Sequence, residues 1–88
     1  MGWVIIMARE YKFHYTICNA PDKELYARQC AALEKYIPSL MKGKELEDVD
    51  GSLSRLYYNS GKELMVSNDY YIGALYIDSE FDIEPYFA

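Results

Sequence analysis

Tyr11, Phe13, Tyr15 and Ile17 alternate with Lys12, His14 and Thr16. Successive side chains of a strand point to opposite faces, so this period of two predicts a strand with one buried face. Asn19-Ala20-Pro21-Asp22 then ends the strand and opens a helix. Asn suits the cap, Pro fits the first turn, and Asp22 and Glu24 suit the positive end of the helix dipole. From there to Tyr36 the spacing turns helical: Tyr26, Cys30, Leu33 and Ile37 fall on one stripe, with Ala27 and Ala31 beside it. Pro38 disfavours a helical Ile37, so the helix is expected to stop there and to cover one side of a sheet.

The stretch from Met41 to about Ser52 shows neither period. Its charges and Gly51 read as a turn-rich loop, with Leu46 and Val49 as anchors. Three further strands are expected over 53–58, 63–67 and 70–77, joined by Asn59-Ser60-Gly61-Lys62 and Asn68-Asp69. Gly73 inside the last of them implies a bulge or a close backbone approach. The tail from Asp78 to Ala88 reads as an edge strand that Pro85 ends early. The prediction is a single two-layer α+β domain spanning 1–88, of order β-α-β-β-β, its antiparallel sheet carrying one main helix on one face.

One helix leaves the other face of the sheet partly bare. The chain holds ten tyrosines in 88 residues, large rings with a polar tip that suit either a core edge or a binding face. Strand alternation splits Tyr57-Tyr58 and Tyr70-Tyr71, turning one ring of each pair inward and its neighbour outward. Tyr57 and Tyr70 are the rings assigned to a partner.

Charge is unevenly spread. Residues 1–44 carry seven Lys/Arg against four Asp/Glu, whereas 45–88 carry two against ten, within a net charge of −5. An acidic half of this kind repels phosphate backbones and anionic membranes and draws in basic proteins. Direct nucleic-acid binding and membrane binding are therefore set aside. The acidity concentrates in Glu47, Asp48 and Asp50 and in the alternating series Asp78, Glu80, Asp82 and Glu84. In an extended tail those four would form a carboxylate ladder, an arrangement easier to explain if a cationic surface meets it.

No nucleophile elbow, Walker loop or dinucleotide fingerprint is present, and His14 is the single histidine, so no enzymatic activity is expected. Cys18 and Cys30 stand twelve apart without a second ligand pair, which does not suit zinc. Asp48-Val49-Asp50-Gly51-Ser52 opens like a calcium loop but has its glycine at the fourth place instead of the sixth, so an acidic turn explains it better. No cofactor or metal is expected. The apolar run Trp3 to Met7 is too short for a signal or a membrane span, and the two thiols fit a reducing cytoplasm. Met7 offers an alternative start, so residues 1–8 are treated as an N-terminal extension.

Size, charge asymmetry and the lack of catalytic groups together point to a small acidic inhibitor of the immunity-protein or antitoxin type. Its partner would be a basic protein, a nuclease toxin or another nucleic-acid enzyme, whose electropositive site it occludes. The alternative is a structural or homo-oligomerising module, a homodimer formed through the open sheet face or the tail edge.

Overall fold

A computed structural model of the chain describes residues 11–87. The segment 1–8, expected to be an N-terminal extension, lies outside the described residues. Seven elements follow one another: β1 (Phe13–Cys18), α1 (Lys23–Tyr36), β2 (Met41–Glu47), β3 (Leu53–Asn59), β4 (Lys62–Asp69), β5 (Ala74–Ser79) and α2 (Glu84–Phe87). The strands form one antiparallel sheet in the order β1-β5-β4-β3-β2. Strands β2 to β5 are a meander, and α1 carries the chain from β1 at one edge to β2 at the other.

The helix stripe read from the spacing is the stripe that packs. Tyr26, Cys30, Leu33 and Ile37 are all buried, facing Tyr57, Leu64, Val66, Leu75 and Ile77 of the sheet. Together these residues exclude water from the one core an 88-residue chain can build. Asp22, not Asn19, caps α1: its carboxylate accepts from Leu25 N–H at 3.0 Å. Asn68 Oδ1 in turn accepts from Asp22 N–H at 2.8 Å, tying the start of the helix to the end of β4. At the other end Ile37 N–H closes on Leu33 O, and Pro38 follows.

The α+β class and the single main helix stand, with one strand more than the pattern predicts. The segment expected to be a loop from Met41 is β2 as far as Glu47. Its partner is β3, and the register shifts between Lys42 and Glu45. That bulge brings Met41 and Leu46 to the same face even though their numbers differ by an odd step. The residues of β2 turned toward the helix are charged, and they are matched there. Glu45 accepts from Tyr26 Oη at 2.8 Å and lies 3.6 Å from Arg55, while Lys42 lies 3.6 Å from Glu34. Arg55 also donates to the Gly43 carbonyl at 3.1 Å. Gly43 fits because a Cβ there would stand 2.8 Å from the Tyr58 ring and 3.0 Å from the Leu56 carbonyl.

Two other boundaries move. β4 runs on to Asp69, and Tyr70 to Gly73 form a turn instead of opening the last strand. The tail does not extend the sheet edge. After Ser79 it turns toward the helix side, buries Ile83 in the core and ends in the short α2.

Candidate functional site

The β2–β3 and β4–β5 turns lie at the same end of the sheet, because β2 and β4 both finish there. The first turn, 48–52, is shaped by its own carboxylates. Asp48 Oδ1 accepts from Val49 N–H at 2.7 Å and Asp50 Oδ1 from Ser52 N–H at 2.9 Å, while Gly51 takes a φ of +91° that favours glycine. The second turn is built on Asp69. One carboxylate oxygen accepts from Tyr71 N–H at 2.9 Å and Ile72 N–H at 3.0 Å, the other from Tyr76 Oη at 2.9 Å. Gly73, at φ +78°, returns the chain to β5. The turns are joined: Tyr70 N–H donates to Ser52 Oγ at 2.9 Å, and the Tyr70 ring lies over Gly51.

Between them opens a cleft of about 430 Å³, lined chiefly by Glu47, Asp48, Asp50, Asp69 and Tyr71. None of these four carboxylates forms a salt bridge with a described Lys or Arg. Bonds from Ser52, first its backbone N–H and then its side chain, hold the Asp50 carboxyl below the usual carboxylate range. Around the cleft stand large side chains left in water: Val49 is fully exposed, Tyr71 is 93% exposed, Ile72 63%, Leu46 49% and Tyr70 47%. Apolar groups gathered at one end of a small domain, next to carboxylates that no described cation pairs, have the make-up of an interaction surface.

The sequence-predicted residues thus divide. Glu47, Asp48, Asp50 and Tyr70 come together at this tip. The tail series Asp78, Glu80, Asp82 and Glu84 forms no ladder, since the chain leaves the extended conformation after Ser79. Asp78 stays in the sheet, on the face away from the helix, with its Oδ1 2.6 Å from His14 Nδ1. Glu80 is half-buried at the far end of β5, its N–H donating to Glu63 O at 2.9 Å. Asp82 receives the Tyr15 phenol at 2.7 Å and Glu84 N–H at 3.0 Å, so it caps α2, and Glu84 lies exposed in the first turn of that helix. Side chains of Ser79 and Tyr15 bond the backbone of Phe81 and Ile83, which is what turns the tail inward.

Tyr57 is not available to a partner. It lies at the centre of the core with no exposed surface, and its phenol donates to Glu34 at 2.6 Å. Alternation does turn one ring of Tyr57-Tyr58 inward, and that ring is Tyr57, the one expected to meet a partner. It belongs to a wider pattern: Tyr11, Tyr15, Tyr26, Tyr57 and Tyr76 each donate to a carboxylate, of Glu63, Asp82, Glu45, Glu34 and Asp69. Burial, and then the bonded carboxylate, pushes the phenol of every one of the five upward in pKa. Half the tyrosines are thereby occupied inside the molecule.

Among the described residues, His14 stands between a carboxylate and a hydroxyl. Asp78 holds Nδ1, and Nε2 lies 3.4 Å from Thr16 Oγ1, beside the Tyr76 ring. The group is exposed on the sheet face, where water screens the charge of its members. No cluster of ligating side chains able to hold a metal ion occurs among the described residues. No described helix is long and apolar enough to cross a membrane.

Val49, Tyr71 and Ile72 are the site residues that the periodicity missed. The signal for the second turn was the Asp69 carboxylate, which bonds amides two and three residues ahead and so ends a strand. No protein-family model, curated protein or solved structure matches this chain.

Proposed function

We propose that the protein is a small acidic inhibitor of the immunity-protein or antitoxin type, which binds a basic partner through the joined turns at the end of the sheet. The observation that carries this reading is the tip itself: Glu47, Asp48, Asp50 and Asp69, none of them in a salt bridge with a described Lys or Arg, interleaved with exposed Val49, Tyr71 and Ile72. Carboxylates of this kind would steer a positive surface in and pair with its Arg and Lys, while the apolar side chains and rings would supply the buried contact that holds it. A partner that normally receives phosphate, such as a nuclease toxin, offers that surface. Inhibition would be by occlusion, with no bond made or broken by the inhibitor. The free thiols of Cys18 and Cys30 suit a reducing compartment, and the reading assigns the pair to the cytoplasm.

The test is co-purification with the product of a neighbouring gene, followed by that product's nucleic-acid cleavage with increasing inhibitor. Stoichiometric inhibition that weakens with salt is expected, and the double variant Asp48→Lys, Asp50→Lys should relieve it. Reversing the remote carboxylates, Glu80→Lys with Asp82→Lys, should relieve it less. A complex formed equally well by the tip variant, or no complex with a basic neighbour at low ionic strength, refutes the reading.

A further inference from the structure

The sheet has one face under the helices and one face that no described element covers, since α1 and α2 lie on the same side of it. Register fixes which side chains stand on the uncovered face. His14, Asp78, Met65 and Leu56 form one row, and Thr16, Tyr76, Ser67, Ser54 and Leu46 form the next toward the tip. The face changes character halfway across. On β1 and β5 it is polar, with His14 Nδ1 2.6 Å from Asp78 Oδ1. On β2, β3 and β4 it is apolar: Leu56 and Met65 share one row, Met41 and Tyr58 stand in the row beyond, and Leu46 closes the row nearer the tip. Met41 and Leu46 are exposed, and Leu56, Tyr58 and Met65 are half-buried.

These five side chains form a track along the strands. From Tyr58 to the turn at Ser52 the chain covers about 20 Å. Gly43 keeps the far end flat, because the Tyr58 ring lies where a Cβ would stand. Toward the tip the surface dips at Ser54 and Ser67, two small residues whose hydroxyls are 3.4 Å apart, between Leu46 and Tyr76. Leu46 and Ser54 are also walls of the acidic cleft, so the track runs without a break into Glu47, Asp48, Asp50 and Asp69. The carboxylates that flank the track on this face, Glu63 and Asp78, are bonded by Tyr11 and His14.

We propose that this track is the seat of an amphipathic α-helix of the partner, apolar along the sheet and ending in Lys or Arg over the cleft. The proposal deepens the reading of the tip and rests on it for the basic end. Backbone chemistry selects a helix. A strand laid on the face of a sheet would have its N–H and C=O groups covered without partners, whereas a helix satisfies its own, as α1 does on the other face. A track of about 20 Å takes about 13 residues at a rise of 1.5 Å. Charge selects a basic helix and gives it a direction. The cleft carboxylates form no salt bridge with a described Lys or Arg, and the helix dipole favours cations in the last turn, so the C-terminus of the helix would lie over the tip. A second copy of a chain of net charge −5 would approach the same cleft against repulsion.

A synthetic helical peptide of about 14 residues, with Leu at helical spacing on one face and an Arg pair in its last turn, tests this without a nuclease. Titrated into the full isotope-labelled chain, it should shift the amide resonances of Met41, Leu46, Leu56, Met65 and Tyr71 and leave those of Gln29 and Ala32 on α1 in place. Met41→Lys, at an exposed site on the far end of the track, should weaken binding about fivefold or more at unchanged circular dichroism, and replacing the Arg pair of the peptide by Glu should weaken it about tenfold or more. No shift at millimolar peptide, shifts on α1 instead of the track, an affinity indifferent to Met41→Lys or to the sign of the charged end, or track resonances that move with protein concentration alone, as a second copy would cause, overturns the proposal. Peptide binding on the track without inhibition of any basic neighbour would remove the nuclease and keep this surface, whereas inhibition without peptide binding would confine the partner to the tip and remove the helix.

Discussion

The Tyr57 phenol donates to a Glu34 carboxylate oxygen at 2.6 Å, from a ring that is wholly buried to an acid that is partly in water. The ring fills the centre of the core and the hydroxyl reaches its rim, where Lys42 lies 3.6 Å from the same carboxylate. One side chain therefore joins the packing of β3 under α1 to the charge pairing that holds β2. Tyr57→Phe keeps the ring and removes the bond. It should lower the free energy of unfolding by about 1–2 kcal/mol, read from the urea midpoint at unchanged slope. A change in the slope would mean that the native or denatured state had altered instead.

Alkali should unfold the protein in a defined window. The Tyr26 and Tyr57 phenols lie above their ordinary value of 10.0 in the fold, through burial and then through Glu45 and Glu34. The unfolded chain therefore releases these protons first as pH rises. Their contribution to stability is fully present below pH 10 and declines above it, by up to about 1.4 kcal/mol per pH unit for each phenol. Near-ultraviolet absorbance of phenolate should appear together with loss of the far-ultraviolet circular dichroism. Titration of these two phenols while the fold stays intact would contradict the assignment.

Gly43→Ala should loosen β2. The added methyl would meet the Tyr58 ring and the Leu56 carbonyl, and the carbonyl cannot give way without shifting the ladder. A loss of about 1–3 kcal/mol is expected. Hydrogen exchange should quicken at the amides of β2 more than at those of β4, since β2 is held by one neighbour and β4 by two. Uniform acceleration across the sheet would show that the cost is global.

Tyr71→Ala separates binding from folding. The ring is 93% exposed, so its loss should change stability by less than about 0.5 kcal/mol. The same substitution should weaken capture of a basic partner measurably, as removal of a tip aromatic does when it is buried on association. Unchanged capture would remove Tyr71 from the surface.

The sequence made β1, α1 and the α1 stripe legible because β1 alternates as far as Ile17 and α1 holds one period along its length, each meeting a single environment. It concealed β2 because the bulge reverses parity between Met41 and Leu46, and because the inward positions Lys42 and Glu45 find their partners on α1 and β3, far away in sequence. Charged residues facing inward look like loop until those partners are known. The tip was legible in part for a related reason. Acidic residues and glycine announced the turn at 48–52, but Tyr70-Tyr71-Ile72 read as strand because the apolar character of a turn is invisible to periodicity once a carboxylate such as Asp69 bonds its amides. The burial of Tyr57 is not legible in the sequence because alternation fixes which rings share a face and not which face meets the helix.

Tyr11 and Phe87, the outermost described residues, both lie away from the tip. Phe13, two residues after Tyr11, pairs with the last residue of β5, and Phe87 packs 5.3 Å from Tyr36 in the last turn of α1, whereas the tip adjoins the start of β5 and, through Asn68, the first turn of that helix. A label, a resin linkage or a fused domain attached at either point would therefore hold the carboxylate turns outward, and an immobilised capture experiment can be oriented without any change to the surface it interrogates.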